Sequence, residues 1–167
     1  MPSEEVLSAI SQLGVAFAAF VSIFFAFSRG LGEYSIAQKL RIRTILCTCF
    51  WVMFVGLFPL VFTELLSSEF IVKSSAVFAL ITFMAIGIDS FIYVKNMSSL
   101  NRAEVQDLNF YVSWALAIVT IVSLVTVISG WLSNVSQGVY LIAALGGLAL
   151  CTSNFLTLAF ERLFKEG

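Results

Sequence analysis

The stretch Leu108–Leu132 reads LNFYVSWALAIVTIVSLVTVISGWL and contains no Asp, Glu, Lys or Arg. A helix needs about 20 apolar residues to cross the ~30 Å hydrocarbon core of a bilayer, and this stretch is long enough. Its residues do not alternate between polar and apolar, as they would in a lipid-facing β-strand. A helix also satisfies its own backbone hydrogen bonds, which lipid cannot do. The stretch therefore predicts a membrane-spanning helix.

Four further stretches have the same character, and together they predict an all-α integral membrane protein of five transmembrane helices. The predicted spans are 6–28, 42–66, 70–94, 108–132 and 138–160. Acidic Glu4 and Glu5 precede the first span, where a cleaved signal peptide is basic, so we expect this span to remain in the mature protein. Short connections after the second and fourth spans indicate an antiparallel helical bundle. No linker or repeat divides the chain, so we expect residues 1–167 to form a single transmembrane domain.

The composition agrees with a lipid environment and excludes several functions. The chain is 60% hydrophobic and only 11% charged, whereas a typical globular domain has about 25% charged residues. A net charge of −1 argues against a nucleic-acid partner. The absence of histidine excludes Ser-His and Cys-His catalytic pairs and the usual zinc sites. A single intramembrane carboxylate with only amide and hydroxyl neighbours is a poor catalytic set, and the sequence has no metal-ligand spacing, so we expect a protein that is not an enzyme and that needs no metal or cofactor.

The distribution of basic residues predicts the orientation of the chain. One side of the predicted membrane holds Arg29, Lys39, Arg41, Arg43, Lys95, Arg102, Arg162 and Lys165. The other side holds only Lys73. Because cytoplasmic loops are enriched in Lys and Arg, eight against one predicts an outer N-terminus and a cytoplasmic C-terminus in the cell membrane.

The cytoplasmic connections have the residue spacing of helix capping boxes. Ser35 and Gln38 stand three residues apart, as do Asn101 and Glu104. In this motif the two side chains satisfy free backbone N–H groups at a helix start. We therefore expect the second and fourth helices to begin near residues 36 and 102, before their apolar stretches.

Four strongly polar side chains lie within or near the spans: Gln12, Glu64, Asp89 and Asn154. Together with Ser22, they are the candidate ion or proton sites. Counting helical rise places Asp89 and Asn154 at a similar depth near the cytoplasmic side, together with Ser22. Gln12 and Glu64 lie nearer the outer surface. An ionised aspartate facing lipid is costly, so we expect Asp89 to face a partner, a water-filled cavity or another subunit, or else to stay protonated. Asp89 is either an ion or proton site with Asn154 and Ser22 as neighbours, or a protonated or hydrogen-bonded residue that fixes how the third and fifth helices pack.

Small residues recur at four-residue spacing on two spans. The first span has Gly14, Ala18 and Ser22, and the fifth has Ala143, Gly147 and Cys151. Small side chains let helices approach closely in lipid, where packing replaces the hydrophobic effect. Each seam predicts either close packing within one chain or an interface between subunits of a homo-oligomer.

Lys39, Arg41 and Arg43 form a basic cluster at the start of the second helix. They are candidate ligands for anionic lipid headgroups, or topology anchors that pair with Glu104 and Asp107.

These features leave two functional hypotheses open. The first is a small oligomeric channel or transport protein that passes protons or cations along a narrow or inter-subunit path, with Asp89 as the titratable group. The second is a non-catalytic scaffold or accessory subunit that binds a partner membrane protein or membrane lipids. Five helices with so few polar positions cannot enclose a wide aqueous pore within one chain. The buried aspartate favours the first hypothesis by a small margin.

Overall fold

The protein is a bundle of five long helices. The structure is a computed structural model, and it describes residues 4–28, 33–61, 68–99, 105, 108–131 and 135–164. The helices are α1 (Glu4–Ser28), α2 (Ile36–Val61), α3 (Ser68–Lys95), α4 (Leu108–Ser129) and α5 (Ser136–Phe164). All five are long and apolar enough to cross a membrane. The prediction of five apolar helices is therefore confirmed.

The start of α2 confirms one of the two predicted capping boxes. The Ser35 backbone N–H donates to Gln38 Oε1 (3.1 Å), and the Gln38 backbone N–H donates to Ser35 Oγ (3.2 Å). This reciprocal pair satisfies two free N–H groups, so the helix begins at Ile36. The second predicted box, at Asn101 and Glu104, lies outside the described residues.

Helices α2, α3, α4 and α5 form a ring in chain order, and α1 packs outside it against α2. Neighbouring helices run antiparallel. The starts of α2 and α4 and the ends of α3 and α5 meet at one end, which we call the basic end because Arg41, Arg43, Lys95 and Arg162 lie there. The opposite end holds Glu69, Lys73 and Gly130.

The four helices of the ring are tightly packed against one another in the half of the bundle nearest the opposite end, where Glu69 and Lys73 lie. Trp51 packs on Phe83 with ring centroids 4.9 Å apart, and its indole N–H donates to the Ala79 carbonyl oxygen (2.8 Å). The Tyr140 hydroxyl donates to the Val55 carbonyl oxygen (2.8 Å). These bonds join α2 to α3 and α5 within a continuous apolar core. The buried polar groups of Trp51 and Tyr140 thus have partners, which offsets the cost of burying them.

A second apolar cluster attaches α1 to the ring near the basic end. Phe155 of α5 is at its centre and makes edge-to-face contacts with three rings of α1, with centroids 5.2–5.7 Å apart. The three rings are those of Phe17, Phe20 and Phe24. Aromatic pairs favour this geometry.

Candidate ligand cavity

The half of the ring nearest the basic end is hollow. A cavity of about 560 Å³ lies between α2, α3, α4 and α5, a volume within the ~300–1,000 Å³ range of small-molecule sites. Its deep end is apolar and is formed by Phe83, Met84, Ala117, Ile121 and Leu150. Phe83 also belongs to the packed core, so the Trp51–Phe83 contact closes the cavity toward the opposite end.

The cavity opens sideways between α3 and α4. Ile88, Phe91 and Trp114 line it and are each at least half exposed at the bundle surface. Gly87 lines the same opening, and a Cβ added there would meet no atom within 4 Å. In a bilayer such an opening faces lipid rather than water. The missing side chain at Gly87 widens the entrance.

A hydrogen-bonded polar network forms the α4–α5 wall. Asn109 Nδ2 donates to Asn154 Oδ1 (3.2 Å), and Asn154 Nδ2 donates to Ser113 Oγ (3.0 Å). Asn154 Nδ2 is also 2.9 Å from the Leu150 carbonyl oxygen. The Ser153 hydroxyl donates to Asn109 Oδ1 (2.6 Å). Asn109, Ser113 and Asn154 line the cavity, so one wall is polar while the deep end is apolar.

Two cations line the cavity at the basic end. The Arg41 side chain is 7% exposed and forms an ion pair with Glu161 of α5. Lys95, at the last residue of α3, is exposed. Nearby Arg162 is buried, with its guanidinium 3.9 Å from the centre of the Tyr34 ring. The pairing of Arg41 offsets the cost of burying its charge.

The structure does not bring the predicted inner polar layer together. Asp89 accepts from Arg43 Nη2 at 2.8 Å, and both side chains are about half exposed. Asn154 lies in the α4–α5 network instead, and Ser22 is exposed and donates to the Ala18 carbonyl oxygen of its own helix (2.8 Å). The prediction that Asn154 and Ser22 are neighbours of Asp89 is wrong. Residues at equal depth on different helices can have side chains that point away from one another. Asp89 does face a partner, which was one of the predicted alternatives.

The two outer polar candidates are Gln12 and Glu64. Gln12 is exposed and its amide donates to Ser8 Oγ, one turn earlier (3.2 Å). Glu64 lies outside the described residues.

The small-residue seams pack within the chain except at Ser22, which is exposed. A Cβ added at Gly14 would lie 3.0 Å from the Met53 backbone nitrogen, and one at Gly147 would lie 2.5 Å from the Trp51 ring. Ala143 and Cys151 are fully buried, and Cys151 Sγ is 3.5 Å from Cys49 Sγ. Ala18 is half-buried, in contact with the apolar cluster around Phe155. The glycines of the seams thus serve close approaches of α2 to α1 and α5.

The three basic headgroup candidates have different environments. Arg41 lines the cavity, Lys39 is exposed, and Arg43 is paired with Asp89. The residues that sequence reasoning missed are Asn109 and Ser113. They stand four residues apart, so they share one face of α4, and this spacing was the available signal. Asn109 lies at the very start of an apolar stretch, where a polar residue also fits the end of a span.

No family model, curated protein or solved structure matches this chain.

Proposed function

We propose that the protein is a five-span membrane protein that binds a single amphiphilic molecule taken from the surrounding lipid. The observation that carries the proposal is the cavity, which is apolar at its deep end, polar on the α4–α5 wall and open sideways between α3 and α4. The proposal develops the lipid-binding hypothesis of a non-catalytic membrane protein.

The proposed orientation places the basic end in the cytoplasm. Arg41, Arg43, Lys95 and Arg162 at that end support it, because Lys and Arg are enriched on the cytoplasmic side of membrane proteins. The opening then faces the cytoplasmic leaflet, and the polar end of the ligand lies near the headgroup layer. The N-terminus is on the outer side.

The chemistry of the wall explains how such a site selects its ligand. Lipid tails are as apolar as the side chains at the deep end, so an acyl chain gains little by moving from bilayer to cavity. Affinity therefore depends on the polar part of the ligand, which meets Asn109, Ser113 and Arg41. A hydrogen bond made in this environment is not weakened by competing water.

Trp114 provides a direct test, because it lines the cavity and is exposed at the opening. A C18 amphiphile brominated along its chain quenches tryptophan fluorescence on contact. We expect saturable quenching at low ligand-to-lipid ratio in nanodiscs. Trp114→Phe should remove the saturable component, whereas Trp131→Phe, at the opposite end, should retain it.

Gly87→Leu should obstruct the entrance without disturbing the fold, because the added Cβ meets no atom within 4 Å. We expect binding to fall about tenfold or more, since an obstructed pocket loses most contacts of its ligand. The matched control is Gly138→Leu, where an added Cβ also meets nothing but the cavity is distant. Equal binding by both variants, or non-saturable quenching in the unmodified chain, would contradict the proposal.

Cation or proton passage between subunits is a second proposal. The Asp89–Arg43 ion pair favours it, because the pair is half exposed on the bundle surface and Asp89 does not line the cavity. Asp89 lies six residues before the end of α3, about 9 Å along the helix. A path using Asp89 would therefore run along the outside of one chain, against another copy.

The test of this second proposal is flux into liposomes. Reconstituted protein should pass protons or monovalent cations, and Asp89→Asn should change the rate. Glu69→Gln, which alters an exposed carboxylate paired with Lys73 at the opposite end, is the control. Background-level flux in the unmodified protein, or an unchanged rate in Asp89→Asn, would remove the proposed path.

A further inference from the structure

We propose that the cavity ligand is an anionic amphiphile, with a carboxylate or phosphate headgroup on one apolar chain. This inference rests on the proposed function and names the chemical class of the ligand. It is carried by the charge and hydrogen-bonding character of the polar wall.

The first step concerns charge. Among the described residues that line the cavity, Arg41 and Lys95 are the charged ones, and both are cations. The carboxylate of Glu161 pairs with Arg41 but is not part of the lining. A cationic headgroup would therefore find no carboxylate among the described lining residues, whereas an anionic headgroup would meet the N–H donors of Arg41 and Lys95.

The second step concerns hydrogen-bond donors. Asn109 Nδ2 gives one hydrogen to Asn154 and carries a second. Ser113 Oγ accepts from Asn154, so its own hydroxyl hydrogen remains to be donated. Asn154 uses its amide group within the network. The wall therefore offers N–H and O–H donors, and its complement is a headgroup rich in acceptor oxygens.

The third step concerns position. Lys95 and Arg41 lie at the basic end, Asn109 and Ser113 follow along α4, and Ala117 and Ile121 continue to the deep end. A helix advances about 1.5 Å per residue, so the α4 side of the lining spans roughly 18 Å from residue 109 to residue 121. Of the α4 lining residues, the asparagine and the serine thus lie nearer the basic end than the alanine and the isoleucine. This arrangement orients one chain inward and one anionic group toward the basic end.

The experiment compares headgroups on one chain. Full-length protein carrying Trp131→Phe, in nanodiscs of zwitterionic lipid, is titrated with four amphiphiles that share a dibrominated C18 chain. The headgroups are a carboxylate, a phosphate monoester, a neutral glycerol ester and a primary amine. Quenching of Trp114 reports binding, and Trp114→Phe measures the remaining signal. We expect one or both anions to bind about tenfold or more tighter than the neutral ester. One charge-assisted hydrogen bond is sufficient for a difference in affinity of this size.

Two variants connect the preference to the wall. Lys95→Gln removes one cation of the lining and should weaken binding of the anions more than binding of the neutral ester. Ser113→Ala removes one donor of the wall and should weaken binding of every acceptor-rich headgroup, the neutral ester included. Arg41→Gln should have the largest effect. Arg41→Gln also breaks the ion pair with Glu161 and could therefore prevent folding. In that case the other two variants and the headgroup series test the preference for an anionic headgroup.

The outcomes separate this inference from the proposed function. Equal binding of all four amphiphiles, or tighter binding of the amine, overturns the anionic headgroup but keeps the cavity as a lipid site. No saturable binding of any of them overturns both. Binding of the carboxylate alone indicates a fatty-acid-like ligand, and binding of the phosphate alone indicates a phospholipid-like one.

Discussion

Gly56 of α2 lies where the backbone of α1 passes closest. A Cβ added there would be 2.7 Å from the Leu7 carbonyl oxygen and 2.9 Å from the Ser11 backbone nitrogen. Both neighbours are backbone atoms of a helix and cannot move aside as a side chain can. The crossing of α1 and α2 therefore requires glycine at this position.

Gly56→Ala should lower the free energy of unfolding by about 1–3 kcal/mol, the usual cost of overpacking. Reversible unfolding in mixed micelles measures it. Gly138→Ala is the matched control, because an added Cβ there meets nothing, and it should be neutral or slightly stabilising. Equal stability of the two variants would show that the helices separate more readily than their packing implies.

Asn154 is the centre of the polar wall, since it bonds to both Asn109 and Ser113. Asn154→Leu should lower the free energy of unfolding by about 0.6–1.7 kcal/mol, which spans the average and the largest value for interhelical hydrogen bonds in one membrane protein, and it should weaken ligand binding. Thr152→Leu is the control on the same helix, because Thr152 is exposed and bonds only within α5. If Asn154→Leu has the same free energy of unfolding and the same ligand affinity as the unmodified chain, the network contributes to neither stability nor binding.

At the scale of the helix, α1 differs from the other four. It packs mainly against α2 outside the ring, and none of its residues lines the cavity. The contacts that hold it are the Gly14 and Gly56 crossings and the aromatic cluster around Phe155. The stability of the bundle and the binding site can therefore be changed separately.

Gly14→Leu should demonstrate this separation. Its side chain would meet the α2 backbone at Met53 and Cys49, so the unfolding midpoint should fall. Saturable quenching of Trp114 by the brominated amphiphile should persist, because the ring still encloses the cavity. Ala16→Leu, on the exposed face of α1, should change neither. Loss of binding in Gly14→Leu at a temperature where the protein is folded would contradict the independence of the ring.

At the scale of the whole molecule, the ring is packed at one end and hollow at the other. Large aromatic side chains fill the packed end, where Trp51, Phe83 and Tyr140 meet. At the basic end the lining includes small or polar residues such as Gly87, Ser113 and Thr48.

The proposed orientation gives a whole-molecule prediction. In a chain whose three cysteines are replaced by alanine, Trp131→Cys should react with a membrane-impermeant maleimide added to intact cells. Asn96→Cys should react only after permeabilisation, because it lies beside Lys95 at the basic end. Both positions are exposed, so access and not burial determines labelling. The reverse pattern would invert the proposed topology and move the cavity to the outer leaflet.

The sequence alone determined the number and type of the helices, because length and hydropathy are local properties and lipid permits few backbone structures. It also determined the start of α2, since Ser35 and Gln38 cap it within one turn. The four-residue spacing of small residues in α1 and α5 indicated close helix approaches, which the structure has at Gly14 and Gly147.

Only the tertiary structure decided which polar groups meet. Depth along a helix follows from residue number, but the direction of a side chain depends on how each helix is rotated against its neighbours. That rotation turned Asp89 to Arg43 and Asn154 to Asn109. The cavity has the same origin, because it is the space left where four helices pack, and no single segment encodes it.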